Sequence, residues 1–191
     1  VLYGFGIGVK GKTIGEICFN TAITGYQEIL TDPSYSGQII TFTFPHIGNI
    51  GVNEQDIESI TPKVKGLIIR ENITNPASYR SQNHLGDWLV KHQITGICGV
   101  DTRKITKDIR LQGAKNVAII FNNNIADINF NDVIKELQAS GSLAGVELAE
   151  SASLNQKYNW QSEGRWQQVN NNYNQVENKK LKIVAIDYGA K

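Results

Sequence analysis

Methionine is absent from this sequence of 191 residues, and cysteine occurs only twice. Because the chain also begins with Val1, we expect it to be a fragment of a longer protein. Two isolated cysteines, Cys18 and Cys98, do not make a disulfide framework, and no histidine–cysteine cluster has the spacing of a metal site. The scarcity of cysteine predicts a reducing, cytoplasmic setting and no bound metal.

Long apolar runs and an excess of one charge sign are also absent. Apolar stretches such as residues 183–186 are strand-sized, far below the ~18 residues of a membrane-spanning helix, and no signal peptide is visible. Lysine and arginine number 19 against 18 acidic residues, which gives no electrostatic reason to expect nucleic acid as a partner. The length allows one globular domain and part of a second.

Glycines are concentrated near the start of the chain, where two binding patterns overlap. Residues 6–13 fit G-x-x-x-x-G-K-T, the phosphate-binding loop, and residues 6–11 fit the dinucleotide pattern G-x-G-x-x-G. A phosphate loop needs a helix beginning at its Lys-Thr, but Gly15 and the β-branched residues around it favour a strand. We favour a hairpin joining two strands, with a nucleotide hydrolase using Gly6–Thr13 as an alternative.

A loop rich in hydroxyl groups follows the next strand. The strand contains Ile14, Ile17 and Phe19, and the chain then passes through a Thr-Gly-Tyr turn to a loop at residues 31–37. Loops of this composition often carry binding residues on a rigid scaffold. His46, directly after a proline, is predicted to be a turn residue and not a general base.

The middle of the chain alternates between strand and helix patterns. Strands are predicted at 38–44, 65–70, 94–101 and 116–121. Helices are predicted at 82–92, with Ser81 as N-cap, and at 102–113, with Asp101 and Thr102 as cap. A third helix is predicted at about 131–141, with Val133, Ile134 and Leu137 facing inward. One flank of the second helix is basic and is interpreted as a solvated face; it is formed by Arg103, Lys104, Lys107 and Arg110. The functional alternative is an anion or partner site at the start of that helix. This alternation predicts a mixed α/β domain.

The last forty residues change in composition. Residues 151–180 are rich in Asn, Gln and Ser, as linkers are, and a small hairpin is predicted at 160–166 with its turn at Glu163–Gly164. Residues 181–191 begin as an apolar run typical of a parallel strand buried on both faces. We therefore predict a first domain at 1–150, a linker at 151–180 and the first strand of a truncated second domain at 181–191.

Several longer motifs point to one family. They are G-E-x-x-F-N-T at 15–21, T-G-Y-Q-E-I-L-T-D-P-S-Y-S at 24–36, P-H-I-G-N at 45–49, G-L-I-I-R at 66–70, D-T-R-K at 101–104 and I-D-Y-G-A-K at 186–191. These ordered, collinear motifs resemble the small subunit of carbamoyl phosphate synthetase over residues 1 to about 150 and the last ten. Relative to that family, we expect the first strand upstream of Val1 to be missing.

The resemblance implies a fold and a role. The fold would be a swivelling β/β/α-type N-terminal domain followed by the first strand of a class I glutaminase α/β domain. In the family, a Cys-His-Glu set in the glutaminase domain hydrolyses glutamine, and the ammonia passes to the large subunit for carbamoyl phosphate synthesis from bicarbonate and ATP. The resemblance leaves both pyrimidine and arginine synthesis open.

Site residues and partners follow from the same resemblance. The serine of the Asp-Pro-Ser-Tyr loop, here Ser34, would contact L-glutamine, and the N-terminal domain would dock the large subunit. No catalytic residue is expected in this chain, because neither Cys18 nor Cys98 matches the family nucleophile. ATP and Mg²⁺ would belong to the large subunit, with no cofactor on this chain. A rival hypothesis is a pure interaction module, in which Ser34 is only a turn residue.

Overall fold

A rolled six-stranded sheet forms the framework of the computed structural model. The structure describes residues 1–143, 145–148, 153, 166–167, 172–173 and 183–186. The sheet contains β1 (Phe5–Gly8), β2 (Gly11–Asn20), β3 (Gln38–Phe42), β4 (Gly66–Ile68), β5 (Thr95–Cys98) and β6 (Asn116–Phe121). The helices are α1 (Tyr26–Thr31), α2 (Leu85–Lys91), α3 (Thr102–Gln112) and α4 (Phe130–Ala139), with 3₁₀ turns at Pro33–Tyr35 and Ile125–Asp127.

The sheet is parallel in its centre and antiparallel at its margins. Its strand order is β1-β5-β4-β3-β2-β6, and the four central strands β5, β4, β3 and β2 run parallel to one another. β1 pairs antiparallel with β5, and β6 pairs antiparallel with β2. This mixed sheet with crossover helices confirms the predicted mixed α/β class.

The connection between β1 and β2 forces the sheet to roll. Only Val9 and Lys10 separate the two strands, so the three Cα–Cα steps from Gly8 to Gly11 span at most about 10.5 Å. Three other strands lie between β1 and β2, which in a flat sheet would hold them about 19 Å apart. The rolled sheet brings the two margins together, and a Cβ atom added to Gly6 would lie 2.2 Å from the Phe121 ring.

The hairpin predicted for residues 6–13 is therefore wrong in its pairing. β1 and β2 are successive strands joined by a two-residue connection, but they share no register with each other. β1 instead pairs Phe5 with Cys98, far along the chain. Local turn signals predicted the two strands correctly but could not specify their partners.

Alternating side chains on the central strands supply two hydrophobic clusters. On β3, Ile40 and Phe42 belong to the cluster that includes Leu30 of α1 and Leu89 of α2. Ile39 of the same strand belongs to the other cluster, whose buried members are Ile17, Ile39, Ile68, Val100, Ile105 and Ile119. Because successive strand residues point to opposite faces, helices cover both faces of the sheet.

The two long helices differ from each other in how well they were predicted. α3 begins after Asp101, whose Oδ1 accepts a hydrogen bond from the Lys104 amide at 3.0 Å, and it ends before Gly113, as predicted. α4 forms where predicted, but its apolar face is not buried: Ile134 is 51% exposed. Val133, Ile134 and Leu137 line an open apolar cavity of about 770 Å³ beside the sheet margins instead of filling a core.

α2 starts later than predicted because the residues before it are held extended. Val52 forms an isolated bridge with Asn83, and the Gln82 amide also donates to the Val52 carbonyl at 2.9 Å. Helix formation can begin only after these bonds, so the N-cap is His84, whose Nδ1 accepts from the Gly86 amide at 3.0 Å. Ser81 is not the cap.

The described residues separate into two units, one of residues up to 147 and one of the described residues from 148 onward. In the second unit, β7 (Trp166–Gln167) pairs antiparallel with β8 (Asn172–Tyr173). The turn predicted at 163–164 lies outside the described residues, as do the flanks of the strand predicted at 181–191. Residues 183–186 carry no regular secondary structure, and Ile183, Val184 and Ile186 are exposed. The predicted domain boundaries stay predictions.

Candidate functional site

Ser34 lies in the 3₁₀ turn that follows α1, and its side chain is exposed. The helix begins after Gly25, a left-handed residue with φ 77°, and was not predicted, since only the flanking turn and loop were. Asp32 Oδ1 accepts from the Ser34 amide at 2.8 Å, and the Tyr35 amide donates to the Asp32 carbonyl at 3.1 Å. These bonds fix the backbone of Ser34. The hydroxyl makes no hydrogen bond within the described residues, so it is available to a ligand.

Two buried side chains of α1 connect the Ser34 turn to the neighbouring loop. The Tyr26 hydroxyl donates to the Gly51 carbonyl at 2.8 Å. Gln27 Nε2 donates to the Asn53 carbonyl at 2.6 Å, while Gln27 Oε1 accepts from the Asn53 amide at 2.9 Å. Gln27 thus pairs with both backbone groups of Asn53, as a residue of a neighbouring strand would. Its side chain is only 3% exposed, and buried hydrogen bonds of this kind rigidify a loop.

Thr31 and Tyr35 complete the support of the turn. Thr31 Oγ1 accepts from the Glu58 amide at 2.9 Å, and Ser59 Oγ donates to the Thr31 carbonyl at 2.6 Å. On the other side, Asn20 Nδ2 donates to the Tyr35 hydroxyl at 3.0 Å, which connects the turn to the end of β2. The Ser34 hydroxyl is therefore presented by a backbone held on both sides. Sequence reasoning missed Gln27 and Thr31, although the two follow the i, i+4 spacing of a buried helix face.

A cluster of charges surrounds the helix that carries this turn. Burial raises the pKa of the Glu28 carboxyl above its ordinary value of 4.5, and the negative charges of Asp56 and Glu58 raise it further. Arg80 acts in the opposite direction and also pairs with Asp56, with Nη2 2.5 Å from Oδ1. The arrangement holds the Glu28 carboxylate close to those of Asp56 and Glu58 at neutral pH.

Replacing Glu28 with Gln is expected to raise the melting temperature at pH 7. A carboxyl with a raised folded-state pKa binds its proton more tightly when folded, so its favourable contribution is complete below the unfolded pKa and is lost as pH rises through the folded pKa. The amide of the Glu28→Gln protein mimics the protonated carboxyl, so the gain should disappear below about pH 4. Thermal unfolding of both proteins across pH measures this. Glu54→Gln, at an exposed position, is the control, and an equal gain at every pH would contradict the argument.

The overlapping glycine patterns do not form a phosphate site. β2 runs from Gly11 to Asn20, so a strand follows the Lys-Thr pair where a phosphate loop requires a helix. Lys12 forms an ion pair with Glu136, and Thr13 Oγ1 donates to the Lys65 carbonyl at 2.8 Å. Both side chains already have protein partners, and the nucleotide hydrolase alternative is not favoured.

Neither cysteine has the surroundings of a nucleophile. Burial, followed by the charge of Glu16, raises the pKa of the Cys18 thiol to about 11. Burial also raises the pKa of Cys98. Both thiols are free and lie on strands, and a raised pKa keeps a thiol protonated and inert. Catalytic thiols require the opposite shift.

The histidines have structural partners. His84 caps α2, and the His92 ring lies 4.4 Å from the Trp88 ring. His46 is exposed, and its ring packs edge-to-face with the Phe44 ring, with the ring centroids 5.9 Å apart. Across the described ranges, no group of three His, Cys, Asp or Glu residues is placed to hold a metal ion. No helix in that part of the chain is long and apolar enough to cross a membrane.

Comparison with known proteins places this chain in a family. A family model described as "Carbamoyl-phosphate synthase small chain, CPSase domain" matches residues 1–119. The chain belongs to this family. A carbamoyl phosphate synthase small chain from Bradyrhizobium diazoefficiens is 44% identical over 195 aligned residues, which cover all of this chain and 48% of the relative.

Other small-chain relatives give the same result. The small chain from Zymomonas mobilis is 45% identical over 192 residues, covering all of this chain and 50% of its own length, and the one from Ruegeria pomeroyi is 44% identical over 191 residues, covering 48%. The chain thus spans about half the length of these curated relatives. Family membership confirms the resemblance read from the motifs at 15–36 and 45–49.

Proposed function

We propose that this chain acts within the small, glutamine-dependent subunit of a carbamoyl phosphate synthase. The observation that carries the proposal is its 44–45% identity to small chains along its entire length. In this proposal, the small subunit hydrolyses glutamine and supplies ammonia to the large subunit, which uses bicarbonate, ATP and Mg²⁺. Residues 1–147 serve as the swivelling β/β/α-type domain that contributes to the glutamine site and to docking of the large subunit.

Ser34 is proposed to contact L-glutamine. A hydroxyl can donate to the α-carboxylate or accept from the α-ammonium group of this zwitterion. Its backbone is held by Asp32 and by the supports of α1, so ordering the loop adds little to the cost of binding. Because neither thiol matches the family nucleophile, and burial raises the pKa of both, the proposed contribution of this chain is binding and not bond cleavage. Alone, it is proposed to be inactive.

Replacing Ser34 with Ala in the natural protein that carries these residues, assembled with its large subunit, tests this role. Losing a hydrogen bond to a charged group costs ~1.5–3 kcal/mol, so KM for glutamine should rise about tenfold or more. Activity supported by free ammonia should be unchanged, because ammonia bypasses the glutamine site. Steady-state kinetics with both nitrogen sources measures the difference.

Ser36→Ala is the matched control, because Ser36 adjoins the same turn and, among the described residues, only its backbone amide is bonded. The Ser34→Ala change leaves the amide bond to Asp32 in place, so the turn should keep its shape. An unchanged KM for glutamine in the Ser34→Ala protein would instead favour Ser34 as a turn residue on a docking module.

A further inference from the structure

A basic groove lies at the carboxyl ends of the parallel strands. We define it as the cavity of about 720 Å³ bordered by Arg70, Arg103, Lys107 and Arg110. Thr21 follows β2, Thr43 follows β3, and α3 supplies three of the four cations. In sheets with parallel strands, this edge is where ligands and partners are commonly bound. The role proposed for Ser34 does not use it.

The cations of the groove are not neutralised by the rest of the domain. Arg70 has a loose partner in Glu71, with Nε 3.5 Å from Oε1. Arg103, Lys107 and Arg110 have no ion-pair partner in the part of the chain that the structure describes, and no described carboxylate lines the groove. For a chain with formal charge +1, this is a local concentration of positive charge, which attracts an anionic partner.

The shape of the groove suits a protein surface better than a small anion or a nucleic acid. Arg103 and Arg110 are separated by about 10 Å along the helix axis, and both are exposed, whereas one small anion would need converging donors. No aromatic side chain for base stacking is among the described lining residues. Leu111 also borders the groove and is 72% exposed, which supplies the apolar contact usual in protein interfaces.

We propose that the basic groove docks an acidic surface segment of the large subunit, an inference that rests on the proposed function. Carboxylates of that segment pair with Arg103, Lys107 and Arg110, and an apolar side chain covers Leu111. Opposite charges across an interface accelerate encounter and select the partner, and exposed pairs are weakened by salt.

The test reverses two charges in the natural protein and measures its association with the purified large subunit. Arg103→Glu with Lys107→Glu suits α3, because Glu has a similar helix propensity and residue 103 lies in the first turn, where a negative charge is favourable. The affinity should fall about tenfold or more, mainly through slower association. The affinity of the unsubstituted protein should fall more steeply between about 50 mM and 300 mM salt than that of the variant.

Lys91→Glu with Lys104→Glu is the matched control, because it makes the same change in net charge at exposed lysines that do not line the groove. It should alter the affinity by less than about twofold, since only long-range attraction changes. If thermal unfolding shows that the double reversal does not fold, Arg103→Gln with Lys107→Gln removes the charges more gently and should still weaken binding several-fold.

The outcomes separate the two proposals. Unchanged binding of a folded groove variant, or equal weakening by the control, would overturn this inference and leave the proposed function intact. No association by the unsubstituted protein would contradict the proposed function and this inference with it. Stoichiometric binding of inorganic phosphate in calorimetry that disappears in the groove variant, with subunit association unchanged, would assign the groove to a small anion and overturn the docking role.

Discussion

Replacing Phe42 with Ala is expected to lower the free energy of unfolding by ~3–5 kcal/mol. Phe42 ends β3 and is fully buried, at 0% exposure, in the cluster shared with α1 and α2. Removing the ring leaves a cavity that the hydrogen-bonded β2 and β4 on either side cannot collapse into. The melting temperature should fall by roughly 6–20 °C, as measured by calorimetry or circular dichroism.

Phe44→Ala supplies the matched comparison two residues further on. Phe44 is only partly buried at the margin of the same cluster, so the same deletion should cost clearly less. Equal losses of unfolding free energy at the two positions would show that the rigid sheet does not cause the large effect expected at Phe42.

Replacing Gly51 with Ala is expected to destabilise the domain by ~2–5 kcal/mol. The residue has φ +75°, a left-handed conformation that costs an L-residue ~1–2 kcal/mol. The new Cβ would also lie 1.9 Å from Ser81 Oγ and 2.6 Å from Ser81 Cβ, so relief requires a backbone shift and not a rotamer change. Such a shift would move the carbonyl that accepts from Tyr26. Denaturant unfolding measures the loss.

Two further variants separate strain from crowding. Gly25 has nearly the same φ, +77°, but an added Cβ would meet nothing closer than 3.8 Å. Gly25→Ala should therefore lose only the stability that the left-handed backbone conformation costs an L-residue. Adding Ser81→Gly to Gly51→Ala should recover much of the stability that Gly51→Ala loses beyond the loss in Gly25→Ala, and a double-mutant cycle quantifies this recovery. No recovery would indicate that the overlap with Ser81 is not the source of the loss.

The parts of the fold that local signals determine were predicted well. β6 matches its prediction because Asn116–Phe121 is an apolar run preceded by Gly113. α3 was predicted at both ends, since Asp101 is a side-chain cap and Gly113 terminates the helix. Both elements are specified by residues within a few positions of their ends.

The errors come from interactions between distant residues. The bridge of Asn83 to Val52 shortens α2, and no residue near Ser81 in the sequence indicates that this bridge forms. α4 has the right period, but burial of Ile134 depends on what covers the helix and not on its pattern. The pairing of Gln27 with the Asn53 backbone is equally non-local.

The candidate site shows the same division. Composition indicated only a hydroxyl-rich loop, and Ser34 was selected by the resemblance of its Asp-Pro-Ser-Tyr motif to a family. The structure adds how the loop is held, through Asn20, Gln27 and Thr31, which no spacing rule connects to Ser34. Its contact with glutamine stays a prediction. The basic residues of α3 were visible in the sequence, but their assembly with Arg70 into a groove required the folded sheet.

The two-residue connection between β1 and β2 has a consequence for synthesis on the ribosome. β1 emerges early, yet its pairing partner, residues 95–98, is made roughly 90 residues later. At ~5–20 residues per second, the strand waits for about 5–20 s with its backbone groups unpaired. An unpaired strand is prone to wrong pairing, so β1 is most exposed to it before residues 95–98 are made. The pairing of β1 with β5, which belongs to the rolled sheet of the finished domain, therefore also leaves β1 unpaired while the chain is being made.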